Sequence, residues 1–345
     1  MADAATRRLY WAFRNPSRSP MDLAVALPVP SAQQEVELVE LRGLDAAEPV
    51  GGVGPDDIRR VTVPARGSVA IQARVRLVGW SADGGPDPRR VVDDPSDGRW
   101  VTPSPSQRLT AETAADLLRD AGVRSGDDPQ AVARDVFELL VGGRFSYAYP
   151  SDLSAAALAR DGAGDCGAFS ALFVALCRAA GVPARVVLGA WDSVTMAPHA
   201  WAEFEVPGLG WVGSDPSGGL VHGVPSGDAA RWHGALPGAR IAFSRGLDVP
   251  IVDPAGAPPQ EESGSRVAGT WRDGRWVAMG TTDEDGTVPY LQPAWPLAGA
   301  PDGGTGTWFL WRGMAHSIGP LAAFGARRAG QVARAFLRDE RRRAR

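Results

Sequence analysis

The chain has 345 residues, 36 basic and 40 acidic side chains and a formal net charge of −4, a length expected of two domains or of one domain with appendages. Every basic position is arginine, and the missing lysine excludes the P-loop lysine, the kinase strand lysine and Schiff-base chemistry, including that of pyridoxal phosphate. Two cysteines, Cys166 and Cys177, are too few for a disulfide framework or a four-thiolate zinc site.

Residues 1–20 hold Arg7, Arg8, Arg14 and Arg18 but no apolar leader core. The longest apolar runs, near 171–176 and 308–311, fall far short of the ~18–20 residues that span a bilayer. A cytoplasmic protein with no membrane span is expected. Residues 6–80 alternate short apolar stretches (9–13, 23–27, 36–41, 58–63, 69–78) with Gly and Pro turn signals, the pattern of a small antiparallel β-sandwich. Residues 81–106, rich in Asp, Gly, Pro and Ser, read as a linker.

Helical patterns follow. Thr110 is placed to cap a helix over 111–121, and Asp128-Pro129 to open one that runs to Leu140 and stops at Gly142-Gly143. The clearest helix spans 166–180, with Asp165 as its N-cap and Gly181 and Pro183 closing it. Phe169, Leu172, Phe173 and Leu176 repeat at helical spacing, so one face is core. A strand at 184–191 and a hairpin of 199–206 with 211–215 come next, and 240–244 reads as another strand. A C-terminal extension, 251–345, is expected to hold loops, a hairpin around Arg272-Asp273-Gly274 and a basic terminal helix from Leu321. A central unit is accordingly bounded at 107–250.

Cys166 occupies the first turn of its helix, where the helix dipole and free N–H groups are expected to draw the thiol from about 8.5 toward neutrality. A thiolate there needs a base that later protonates the leaving group, and His199 qualifies. Asp215, 16 residues beyond, is placed to fix the imidazole tautomer. Strand register tests this. If Val206 pairs with Gly210, Asp215 shares a face with His199 one diagonal away, whereas pairing Val206 with Trp211 turns Asp215 to the other side.

The stretch Gly164-Asp165-Cys166-Gly167-Ala168-Phe169 with Cys177-Arg178-Ala179-Ala180-Gly181-Val182-Pro183-Ala184-Arg185 resembles the core of the bacterial transglutaminase-like superfamily. His199-Ala200-Trp201-Ala202-Glu203 and Gly210-Trp211-Val212, followed by Asp215-Pro216-Ser217, resemble that family's other two blocks in order and spacing. The resemblance covers about residues 137–217. It implies an α+β, papain-like fold in which a nucleophile helix packs on an antiparallel sheet. It also implies acyl transfer or hydrolysis at amide bonds, on a protein or peptide substrate, with no metal or other cofactor. Cys166, His199 and Asp215 align with the family's nucleophile, base and orienting acid.

The Cys166 backbone N–H is one expected oxyanion donor. Some relatives add an upstream Trp or Gln side chain, but here the nearest upstream Trp is Trp100 and the residue six before the cysteine is Arg160. Tyr147 and Tyr149 are the remaining candidates. Trp201, Trp211 and Tyr147 are expected to wall the cleft. Cys177 is expected to be core filling, about 16 Å along the helix from Cys166 and out of disulfide reach. His222, His233 and His316 lack ligand spacing and read as surface or structural residues. The eight arginines after Pro320 read as a solvated tail, with no nucleic-acid partner expected of a net acidic chain. The reading is a cysteine acyl-transfer enzyme working through a thioester, hydrolysis preferred. The competing reading is a catalytically silent scaffold that binds proteins.

Overall fold

A computed structural model gives the fold. It describes the strand segments between residues 5 and 77, most of residues 98–250, and short strand pairs at 271–276 and 287–288. In the N-terminal part, β1 (Ala5–Arg14), β2 (Met21–Ala26), β3 (Gln34–Glu37), β4 (Ile58–Val63) and β5 (Ser68–Leu77) fall into two sheets. One has the order β1-β5-β3. In the other, β4 pairs with β2. The β-rich character agrees with the alternating apolar runs.

Four helices follow, and local chemistry sets where each begins. The Thr110 hydroxyl accepts from the Thr113 N–H to open α1 (Ala111–Asp120), and the Asp128 carboxylate caps α2 (Pro129–Val141). Between two-residue strands β6 (Ser146–Tyr147) and β7 (Ala163–Gly164) lies α3 (Ala155–Asp161), capped by Ser154. The sequence reading passed over α3 because its run of alanines shows no apolar stripe. Asp165 caps α4 (Cys166–Ala179) by accepting from the Ala168 N–H at 2.9 Å.

The central sheet is antiparallel with the order β10-β9-β8-β11, from β8 (Ala184–Trp191), β9 (Pro198–Val206), β10 (Gly210–Ser214) and β11 (Arg240–Arg245). Alternation assigns its two faces. Ala184, Val186, Leu188, Ala200, Ala202, Phe204 and Val212 form one core with Phe169, Leu172, Phe173 and Leu176 of α4. This gives the helix-on-antiparallel-sheet arrangement expected of the α+β core. Cys177 lies fully buried in the same core, as its position on the stripe required.

The other face is buried too, which explains why β8 reads as an unbroken buried run. Val187, Trp201 and Ala242 pack there with Val29 and Leu236. Gly189 pairs with Ala242 of β11 where the register shifts between Ala242 and Ser244. A Cβ there would lie 1.9 Å from the Ile241 carbonyl oxygen and 2.9 Å from the Trp201 ring, so no larger residue fits. The end of the segment read as a linker belongs to the fold. Trp100 is buried edge-on against Trp211, and the Arg178 guanidinium binds the Thr102 carbonyl and the Ser104 hydroxyl. Its acidic, Gly- and Pro-rich composition masked that one large aromatic anchor. The hairpin expected around 272–274 corresponds to β13 (Trp271–Arg272) and β14 (Arg275–Trp276), which follow β12 (Val249–Pro250) and precede β15 (Thr287–Val288). The expected terminal helix from Leu321, and His316, lie outside the described residues.

Two polar groups are built into this core. Arg185 and Glu203, both buried, are joined at 2.6 Å, and the guanidinium lies 3.9 Å over the Trp211 ring. Glu203→Ala leaves that cation buried without its carboxylate and should cost about 3–5 kcal/mol, read as a lower urea midpoint. His233 bonds the Ser214 hydroxyl at 3.0 Å and stacks on Phe204, and burial, with the charge of Arg134 adding, holds its imidazole down at about 4. Between its ordinary 6.5 and about 4 the unfolded chain binds a proton that the folded chain refuses, so stability falls as pH falls through that window. His233→Phe should flatten the urea midpoint between neutral and mildly acidic pH.

Candidate active site

Hairpin register brings the candidate residues together. Val206 pairs with Gly210 and Ala202 with Ser214 across the three-residue turn at 207–209. Extending that pairing sets Asp215 opposite Trp201, on the face that carries His199. Asp215 Oδ2 lies 2.7 Å from His199 Nε2. An ionised carboxylate can only accept, so the proton is assigned to Nε2 and the Nδ1 lone pair stays free to take one.

Asp215 is fully buried and has a donor for every lone pair. Oδ2 also accepts from Arg240 at 2.7 Å, while Oδ1 accepts from the Ser217 hydroxyl at 2.9 Å and the Gly218 N–H at 2.8 Å. Burial alone would raise its carboxyl, but the His199 and Arg240 charges and these hydrogen bonds hold it well below the usual carboxylate range. Gly218 permits the approach, because a Cβ there would fall 2.6 Å from Asp215 Oδ2 and 2.1 Å from the Trp232 ring. The sequence reading treated Arg240 only as the start of a strand. The signal was present, since an arginine heading the apolar run Ile241-Ala242-Phe243 needs a buried acid. Trp191 also escaped notice. Its ring stacks on His199 with centroids 4.2 Å apart, and the Arg240 guanidinium lies 4.5 Å from its centroid.

Cys166 reaches this cluster from the N-terminus of α4. The next hydrogen-bonded β9–β10 pair after Ala202 and Ser214 would match Ala200 with Pro216, but β10 ends at Ser214. The Ala200 N–H is directed instead to the Cys166 sulfur, and the Tyr147 hydroxyl bonds the same atom. The expected drop in thiol pKa is overturned. Cys166 is half-buried, and desolvation, with the charges of Asp165 and Asp215 adding, pushes its thiol up to about 12. The positive end of the helix dipole is opposed by the carboxylate that caps the same helix. The thiol at rest is therefore neutral.

The expected cleft walls divide. Tyr147 is half-buried and touches the sulfur. Trp201 and Trp211 are not cleft walls, being only 1% and 2% exposed. Trp201 lies beside the His199 ring at 6.2 Å, and Trp211 supports Arg185. They are the largest apolar groups on a sheet face that is itself covered, so they fill it. Tyr149 lies outside the described residues. His222 stacks on Trp232 at 5.4 Å. Among the described residues no cluster of His, Cys, Asp and Glu could hold a metal ion. No helix there is long and apolar enough to cross a membrane.

Residues 115–216 match the family described as Transglutaminase-like superfamily. Among solved structures, a provisionally assigned cysteine protease from Cytophaga hutchinsonii is similar over 71% of this chain and 82% of its own, at 17% identity and a TM-score of 0.46. The periplasmic domain of TgpA from Pseudomonas aeruginosa is similar over 66% of this chain and 93% of its own, at 20% identity and a TM-score of 0.33. No curated protein matches. The cysteine at the head of α4, the histidine on β9 and the aspartate just after β10 all lie within the span, residues 115–216, that matches the transglutaminase-like superfamily.

Proposed function

We propose that the protein is a cysteine acyl-transfer enzyme acting on amide bonds of a protein or peptide, a glutamine carboxamide or a peptide bond. The observation that carries this reading is the bond between His199 Nε2 and Asp215, which leaves Nδ1 as a base next in sequence to Ala200, whose N–H meets the sulfur of a cysteine at a helix N-terminus. His199 takes the proton of Cys166 as the sulfur attacks the carbonyl carbon, and returns it to the departing amine. The thioester then passes to water in hydrolysis or to an amine in transfer. Hydrolysis is preferred, because no motif in the sequence marks an amine-binding site. The Cys166 N–H is the backbone oxyanion donor in this scheme. No metal or cofactor takes part.

A neutral resting thiol makes proton transfer to His199 the gate to reactivity, where a preformed ion pair would have removed it. The same raised thiol is the one observation that favours a catalytically silent scaffold. The proposal also keeps the division into a β-sandwich at 1–80, a core at 107–250 and a C-terminal extension, in a cytoplasmic protein with no nucleic-acid partner.

Iodoacetamide labelling from about pH 5 to about pH 9 separates the two readings. The enzyme reading expects Cys166 to label near neutral pH, His199→Ala to label only as the solution becomes strongly alkaline, and Cys177 to stay inert. Slow labelling of Cys166 that His199→Ala leaves unchanged would establish the scaffold. Asp215→Asn, which can leave the wrong tautomer on His199, should lower kcat by up to about 10⁴-fold on any amide substrate found. Arg240→Met leaves Asp215 with an uncompensated buried charge and should cost about 3–5 kcal/mol, while Arg240→Lys keeps the charge and most of the stability, both read by urea denaturation.

A further inference from the structure

Acyl transfer through Cys166 places negative charge on the former carbonyl oxygen, and one backbone donor alone is a thin oxyanion hole. The described part of the molecule supplies few groups that could join it. Trp100 packs edge-on against Trp211, and the Trp201 and Trp211 indoles are buried on the sheet face away from α4. Arg160 is paired with Asp161 at 2.7 Å on α3. The Ala200 N–H is fixed in a strand and committed to the sulfur.

Tyr147 differs from all of these. It stands on β6, which pairs in parallel with β7, Tyr147 opposite Gly164, two residues before the cysteine. The ladder is closed on both sides of it, by the Ser146 N–H to the Gly162 carbonyl at 2.8 Å and the Ala148 N–H to the Gly164 carbonyl at 2.9 Å. The tyrosine backbone is thus tied to the segment that delivers Cys166. Gly164 keeps that junction tight, since a Cβ there would fall 2.8 Å from the Ala168 side chain in the first turn of α4. The hydroxyl reaches the sulfur, and the residue stays half-buried, open to a substrate on one side.

We infer that the Tyr147 hydroxyl is the second oxyanion donor, acting with the Cys166 N–H. No described group accepts from that N–H, which heads a helix and is left outside its ladder. In the tetrahedral adduct the sulfur and the oxyanion are bonded to the same carbon. A hydroxyl resting on the sulfur therefore needs only a small rotation to bond the oxygen instead. At rest it bonds the sulfur, and in the transition state it follows the charge.

The assignment rests on the acyl-transfer reading, and the test separates the two by using two electrophiles on the full chain. Iodoacetamide alkylates sulfur by displacement at a saturated carbon and forms no oxyanion. p-Nitrophenyl acetate acylates it through one. The sulfur bonds the acetyl carbon, the carbon–oxygen bond to nitrophenolate breaks, and His199 takes the thiol proton. Water then frees acetate and restores the thiol. Tyr147→Phe should lower nitrophenolate release by about 10²-fold while alkylation changes only a few-fold. Its urea midpoint should stay within a few tenths of a molar of the parent's, and His199→Ala serves as the control that lowers both rates. Equal losses in both reactions, or no loss in either, would overturn the assignment of Tyr147 and leave the enzyme reading standing. A parent protein that alkylates at Cys166 yet releases no nitrophenolate would overturn the acyl-transfer reading and the assignment together. Should Tyr147→Phe fail to fold, 3-fluorotyrosine at position 147 keeps the hydroxyl and makes it a stronger donor. Faster nitrophenolate release with unchanged alkylation is then expected, and unchanged release overturns the assignment.

Discussion

The Asp215 carboxylate is the constraint around which this site is organised. Four donors from three places meet on its two oxygens: a histidine on β9, an arginine at the head of β11, and a hydroxyl and a backbone N–H from the turn that follows it. A buried anion so saturated has no spare lone pair to protonate and little freedom to rotate. It therefore passes order outward. His199 is fixed in tautomer and plane, Trp191 lies against both that imidazole and Arg240, and the short turn after β10 is held against Trp232. Arginine suits this place better than lysine would. Its planar guanidinium stays charged when buried and lies against aromatic rings while it donates.

The same electrostatics explain the state of the cysteine. The aspartate that starts α4 is the obvious N-cap, and a capping carboxylate one residue before a thiol works against the thiolate that the helix dipole favours. The two effects have one origin, since the exposed N–H groups that create the positive helix end are also what the cap satisfies. A thiol that stays protonated until a substrate arrives is less open to oxidation or stray alkylation, because the thiolate is the reactive form.

Much of this was legible in the residue order. Cap residues announced α1, α2 and α4 within a residue of their observed starts, because capping is a local bond between neighbours in sequence. The residue order left two hairpin registers open and fixed what each would mean for His199 and Asp215, and the structure has the one that puts them on a shared face. What escaped was of another kind. Arg240 joins Asp215 across 25 residues, Trp100 meets Trp211 across more than a hundred, and α3 is held by contacts with α4 that its run of alanines does not advertise. Trp201 and Trp211 were misplaced because sequence shows that a strand face is apolar without showing whether a second layer covers it. The rise in the Cys166 thiol has the same root, for it depends on how closely distant segments close around one sulfur.

The three-residue turn at 207–209 lies at the far end of β10 from the chemistry, about five strand residues or 17 Å away. It works as a ruler. Its length sets which residue of the returning strand comes level with His199, and the same count places a proline where the ladder would otherwise have continued past Ala200. One residue more or fewer in that turn would carry the carboxylate to the opposite face of the sheet. Loops usually absorb length changes at little cost to a fold. This one, exposed and remote, has its length fixed by a site it never touches.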